Sequence, residues 1–396
     1  MIRHLFVLMW NRKRSNGLLI AEIFLAFVVL FAVGSVGVYT WRNYQDPLGF
    51  DYQHVWRIDL SPGTQPHADQ FATLQQVLQR LRSTPGVVSV SRSASNTPFA
   101  FSTNNTWVEA GKGSTKREAE DVDYYDAEPE LRDIMGLQLQ EGRWFDRRDE
   151  AVTRQPVVIN ALLRDALFAP GQSAVGRVIR SGETEYQVVG VTGFYRAGGE
   201  LSEPQPGMFI YIGPQDTTRA LSTLLVRVRP GSGAALEKRI SDDIRAAGPT
   251  WTSNIITLPN QRLIQLKFSL VLPVVLGVVC LFLIINVALG LFGVLWLNIS
   301  RRRGEIGVRR AMGATAGNIS LQVLGEILVL TTFGLGLGLL VAAQFPLLGV
   351  MGVQTGVHLT AMLLAAGLLY LLATVCALYP SRLAAGIQPA VALREE

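Results

Sequence analysis

Residues 298–319 read NISRRRGEIGVRRAMGATAGNI, a basic stretch pinched between two long apolar runs. Five arginines, Arg301, Arg302, Arg303, Arg309 and Arg310, stand where one run ends and the next begins. Short loops rich in Lys and Arg beside membrane spans stay on the cytoplasmic side. The stretch also has helical character. Glu305 precedes Arg309 by one turn, the favourable order for an ion pair. On a helical wheel Val308, Ala311 and Met312 share one face, with Arg302, Glu305 and Arg309 beside it. Gly313 suits a left-handed cap that closes this helix, and Thr315 suits the N-cap of the next. Two readings stand: a topological anchor, or a small cytoplasmic helix shaped to dock on a soluble partner.

Working outward, the composition sets the class. The chain has 396 residues, is 49% hydrophobic and carries a formal charge of +5. That is too apolar for an ordinary soluble enzyme, and long enough for two or three domains. The arginines gather at membrane edges, which argues against nucleic acid as a partner and for membrane lipid. Both cysteines, Cys280 and Cys376, fall inside apolar runs, so the polar part has no disulfide framework or metal knuckle.

Four apolar runs are long enough to span a bilayer: 17–41, 268–297, 320–345 and 358–379. Residues 1–16 place Phe6 and Trp10 before Arg12, Lys13 and Arg14, as in a helix lying in the inner interface. The run 268–297 exceeds a hydrocarbon core of about 30 Å, so it should protrude as a stalk near Pro273. Loop 346–357 has no Lys or Arg, as an outer loop should. The tail 380–396 carries Arg382 and Arg394, as an inner one should. The charge rule therefore puts both termini and 298–319 inside, with 42–267 outside. Within the spans, Glu22 reads as a snorkelling or paired group, and Gly334 with Gly338 forms a close-packing pair.

Residues 42–267 are mixed in polarity. Val55–Leu60, Val87–Val90, Val157–Asn160, Tyr186–Val191, Met208–Ile212 and Leu224–Val228 read as strands. His67–Arg82, Leu131–Leu137, Ala161–Phe168 and Gly233–Ala247 read as helices. The first of these elements make a β-α-β start. Before Leu131 comes a polar passage rich in Gly and Ser, in which Gly111–Thr115 reads as a flexible loop. The class is a four-span helical membrane protein with an α+β extracytoplasmic domain.

No catalytic motif appears. Gly111-Lys112-Gly113-Ser114-Thr115 has the wrong order for a phosphate loop. Asp121, Asp123 and Asp126 lack the glycine and the terminal acid of a calcium loop. The four histidines are scattered. We expect no enzyme activity, cofactor or metal in this chain; if ATP is used, a partner must hydrolyse it.

Several motifs together resemble one family. Residues 303–314, RGEIGVRRAMGA, are similar to the EIG-[IV]-R-x-A-x-G-A signature of MacB/FtsX-like ABC transporter permeases. The tail motifs, Tyr379 to Ala385 and Gln388 to Arg394, resemble that family's ending. Met135 to Phe145, Pro156 to Asn160, Val175 to Arg177 and Val188 to Val191 resemble passages of a MacB-like periplasmic core. The resemblance covers nearly the whole chain. It implies a permease in the cell inner membrane, with a two-lobed periplasmic domain moved by stalk helices, a mechanism called mechanotransmission. It implies a second permease, either a copy of this chain or a paired homologue, and a separate ATP-binding subunit that holds ATP and Mg and docks on Arg303, Glu305, Ile306, Val308, Arg309, Arg310, Met312 and Gly313. A periplasmic adaptor and an outer-membrane channel are further expected partners for export or efflux. An FtsX-like regulator of a cell-wall hydrolase, or a lipoprotein-release permease, is the alternative.

Overall fold

The computed structural model describes residues 13–217, 222–349 and 353–386. Helix α1 (Lys13–Gln45) leads into β1 (Val55–Ser61), α2 (His67–Ser83), β2 (Val87–Ser93), β3 (Asn105–Ala110) and β4 (Arg117–Ala127). Then come α3 (Leu131–Met135), β5 (Leu139–Gly142), β6 (Gln155–Asn160), α4 (Ala161–Leu167), β7 (Val178–Ser181), β8 (Thr184–Thr192) and β9 (Gly207–Tyr211). After β10 (Thr223–Val228), α5 (Ala234–Ala247) and β11 (Thr252–Thr257), the rest is helical: α6 (Leu258–Arg301), α7 (Arg303–Ala311), α8 (Ala316–Ala342), α9 (Gln344–Leu347) and α10 (Thr355–Ala385). The chain divides into two units, Asn43–Ser269 and a second made of Met1–Arg42 with Leu270–Glu396.

The first unit has two sheets. The smaller runs β11-β1-β10-β2, each neighbour antiparallel. Alternating apolar residues of β1 and β10 (Trp56, Ile58, Leu224, Val226) meet Leu74, Val77, Leu78 and Leu81 of α2 and Leu236, Ile240 and Ile244 of α5. The expected β-α-β start is present in split form, because β10 lies between β1 and β2.

The larger sheet runs β5-β8-β6-β9-β4-β3-β7, and β7 pairs back onto β8, closing six strands into a ring. One face, through Val122, Val157, Ile159, Val188 and Ile210, packs on Leu163 and Leu167 of α4. The opposite face, through Tyr125, Val158, Phe209 and Tyr211, joins α3 and the back of the smaller sheet at Val55 and Leu225. The two-lobed α+β fold expected of this region is therefore present.

The polar passage before Leu131 holds a β-hairpin that was not anticipated, β3 with β4, paired from Asn105↔Asp123 to Ala110↔Arg117 with a bulge between Thr106 and Val108. The exposed residues of β4 are mostly charged, and Val108, Ala110, Ala119 and Val122 mark the hairpin's buried side, too sparse a pattern for period-2 recognition. Asp121, Asp123 and Asp126 lie along β4, and Tyr125 Oη donates to Asp123 at 3.1 Å. The Gly111–Thr115 motif is the connection of this hairpin.

In the second unit α1, α6, α8 and α10 are long and apolar enough to cross a membrane. The GxxxG pair of α8 faces α1: a Cβ on Gly334 would come within 2.8 Å of Ile23, and one on Gly338 within 2.3 Å of the Phe27 ring. Gly290 of α6 serves Glu22 in the same way, since its Cβ would meet the carboxylate oxygen at 2.2 Å. The small residues thus give α1 close approach to two neighbours.

Several boundaries move. Helix α6 starts at Leu258, not at residue 268, and passes through Pro273 without ending. Thr257 Oγ1 accepts from Asn260 N at 3.3 Å, and Pro259 falls in the first turn, where its missing N–H costs nothing. Helix α10 likewise continues through Pro380 to Ala385. The interfacial segment 1–16 and the tail 380–396 lie partly outside the described residues.

A buried ion pair joins the lobes. Arg92 of β2 and Glu128 beyond β4 are 1% and 5% exposed, with Nε donating to Oε1 at 2.6 Å and Arg92 N to Oε2 at 2.8 Å. The remaining guanidinium nitrogens donate to the carbonyls of Gly213 (2.6 Å) and Asp216 (3.1 Å). Removing one member of such a pair strands the other charge. Glu128→Gln should therefore destabilise this unit by about 3–5 kcal/mol. Thermal unfolding of the purified full chain in detergent reads this as a clearly lowered first transition; an unchanged transition would contradict it.

Candidate functional site

Helix α7 is held by contacts from three other helices. Ile306, buried on one side of it, packs with Ile299 of α6, Ile319 of α8 and Ala384 of α10. Gly307 is buried beside it. Arg302, the N-cap residue, donates through Nη1 to Glu326 of α8 at 2.8 Å. Gln322, one turn earlier on α8, donates to the second Glu326 oxygen at 3.2 Å. Arg309 reaches both ways, to Gln322 Oε1 at 2.9 Å and to Glu305 at 2.6 Å. Arg310 donates to the Ala385 carbonyl at the end of α10. A cation on those terminal carbonyls also suits the helix dipole.

The helix ends in a Schellman motif: Gly313 N donates to Arg310 O at 3.1 Å and Ala314 N to Arg309 O at 3.1 Å, with Gly313 at φ +98°. Thr315 then caps α8 by accepting from Asn318 N at 3.3 Å. The turn from α7 to α8 is thereby fixed by two backbone–backbone bonds, one side-chain cap and one glycine.

The outcome is a short helix with one face anchored and one face open. Val308 is 43% exposed and Met312 76%, with Ala311 exposed between them. Arg303 and Glu305 are exposed beside them. Of the eight residues picked out by sequence, Val308, Met312, Arg303 and Glu305 line the open side. Ile306, Arg309 and Arg310 face their anchors, and Gly313 shapes the turn. Glu326 and Gln322 were not anticipated, although a lone acid two turns into an apolar run, opposite an arginine cluster, is a readable signal. Among the described residues no group of His, Cys, Asp and Glu is arranged to hold a metal ion.

Gly313→Val should strain the left-handed residue by about 1–2 kcal/mol and loosen α7. Limited trypsin digestion of the purified chain should then cut after Arg309 and Arg310 roughly ten-fold faster. An unchanged rate would mean that the cap does not hold the helix.

The model of the MacB-like periplasmic core domain matches residues 17–243, more than half the chain, and that of the FtsX-like permease C-terminal region matches 275–389. A macrolide export ATP-binding/permease protein MacB of Hahella chejuensis is 28% identical over 279 residues, 66% of this chain and 41% of that one. Its counterpart MacB 1/2 of Paracoccus denitrificans is 29% identical, over 54% of this chain and 33% of its own. A probable syringafactin export ATP-binding/permease protein, SyfD, of Pseudomonas syringae pv. tomato is 27% identical over 52% of this chain and 32% of its own. The chain thus spans about a third to two fifths of these relatives' length. The crystal structure of the periplasmic region of MacB from Actinobacillus actinomycetemcomitans is 13% identical and aligns with 57% of this chain and 97% of its own, at a TM-score of 0.39. The chain belongs to the MacB-like, FtsX-like family of ABC transporter permeases.

Proposed function

We propose that this member of the MacB-like permease family is the membrane subunit of an ABC exporter that works by mechanotransmission. In this reading α7 is the coupling helix on the cytoplasmic side, the four spans lie in the cell inner membrane with both termini inside, and residues 42–267 act outside. An ATP-binding partner holds ATP and Mg and docks on the open face of α7. The observation that carries the reading is the construction of that helix. The face with Val308 and Met312 is left exposed while the other is packed through Ile306 and tied to α8 and α10 by Arg302, Arg309 and Arg310. A mere topological anchor needs the charges but neither an exposed Met312 nor a pinned helix.

A push on α7 passes into α8 through Arg302–Glu326, and into α6, whose last residue lies two positions before α7 begins. The relatives' names, which join ATP-binding and permease functions, support a partner of this kind. The substrate class follows from none of these residues. A second copy of the chain is part of the proposal, since a thin four-helix set leaves wide apolar faces, such as Leu272, Val278 and Phe282, for lipid or a partner.

The test is a pair of charges on the open face. Co-expressed with an ABC ATP-binding protein that co-purifies with the wild-type chain, Val308→Glu/Met312→Glu should bind it at least about ten-fold more weakly, a loss of roughly 1.4 kcal/mol. Stimulated ATP hydrolysis should fall with it, while the chain stays in the membrane and α7 keeps its trypsin resistance. Undiminished binding and ATPase stimulation would remove α7 as the docking site.

A further inference from the structure

The loop from Phe194 to Ser202 gathers contacts from both long helices that border the soluble unit. Arg196 is 2% exposed, and its guanidinium spends four donors on backbone carbonyls. Nη1 donates to Asn43 O at 2.8 Å and Asp46 O at 3.1 Å, at the end of α1. Nη2 donates to Glu200 O and Ser202 O, each at 2.7 Å, folding the loop back on itself. Arg196 N also donates to Leu48 O at 3.0 Å. Gly49, at φ +84°, lies so close that a Cβ there would come within 1.7 Å of the Phe194 carbonyl. The loop is therefore seated directly on the segment that leaves α1.

The same loop grips the first turns of α6. The Glu200 carboxylate pairs with Arg262 Nε, both mostly buried. Arg262 in turn lies over the Tyr52 ring, 5.3 Å from its centroid. Gly199, at φ +91°, places its backbone on the Phe99 ring and the Gln265 side chain, at 3.4 and 3.9 Å from an ideal Cβ. A buried guanidinium with four carbonyl acceptors is costly to undo, because each freed donor would remain unsatisfied in a dry site. The single ion pair to α6 is the weaker joint.

We propose that residues 194–202 form a clasp that locks the exit of α1 to the first turns of α6, with Arg196 as its fixed side and Glu200–Arg262 as its releasable side. The clasp rests on the reading that α6 conveys displacement. It adds that α1 and α6 deliver that displacement together, since neither end shifts without carrying the loop. Glu200 and Arg262 are thus positioning residues. The pair fits this role because charge-assisted bonds hold geometry tightly, yet can be broken without unfolding either helix.

The clasp can be measured without any partner or transported molecule. Spin labels at the exposed positions Gln45 and Ile264, in the full chain with Cys280 and Cys376 replaced, report the separation of the two ends by pulsed electron resonance in lipid nanodiscs. The wild-type background should give one narrow distance distribution. Glu200→Gln should broaden it and shift its mean to longer distance, and Arg262→Gln should do the same. The double variant should look like either single one, because both remove the same joint. A control label pair at Gln79 and Lys238, on α2 and α5, should not change in any variant. If the 45–264 distribution stays narrow in Glu200→Gln, or if the two substitutions broaden it additively, there is no such clasp. Broadening of the control pair as well would make the effect general unfolding and also overturn it. Since ATP-partner binding is not read here, loss of the functional reading through the α7 variants remains a separate result.

Discussion

A helix of 44 residues rises about 66 Å, and a hydrocarbon core takes up only about 30 Å of that. Much else follows from this mismatch in α6. In lipid every backbone N–H and C=O must be satisfied within the segment, so the span has to be helical. Beyond the lipid that obligation ends, yet α6 stays helical from Leu258 onward. Thr257 caps it, and buried Leu258 and Gln261 seat its first turn among the side chains of the soluble unit. One unbroken helix therefore belongs to both units of the chain, and α7 begins two residues after it ends.

Around that helix the structure uses arginine wherever a junction must hold its shape. Arg92 with Glu128 fixes the two lobes, Arg196 fixes the exit of α1, and Arg302 with Glu326 fixes α7 to α8. A planar guanidinium reaches several acceptors at set angles, and its charge is never lost near neutral pH. The small residues do the complementary work inside the bundle. Gly334 and Gly338 admit Ile23 and Phe27, and Gly290 admits Glu22, which a Cβ at any of the three would exclude. Packing without a hydrophobic drive depends on such close approach.

Much of this was legible in the sequence, for identifiable reasons. Long apolar runs announce spans by length alone. The helix at Arg303–Ala311 announced itself through the Glu305/Arg309 spacing and through Gly313 and Thr315 at its end. Strands with buried branched residues, such as Val157–Asn160, were visible for the same reason. The β3–β4 hairpin was not, because its exposed side carries a run of acids that masks the alternation. The first turns of α6 were missed because Arg262 looks like surface loop until its partners Glu200 and Tyr52 are known. Ties between residues more than sixty apart, as in Glu200–Arg262, leave no local pattern. At α7 the open face was readable and the anchoring face was not, since Glu326 and Ala385 come from elsewhere in the chain.

Force transmission through α6 is the central claim, and stiffness is what it requires. A short Gly-Ser segment inserted after Leu266 would leave the spans, α7 and the soluble unit intact while replacing a rigid link by a flexible one. With the ATP-binding partner present, docking and ATP hydrolysis should continue, and export measured in the same membranes should be lost. Export at the wild-type rate through the interrupted helix would contradict the claim, because no displacement would then be passing along α6.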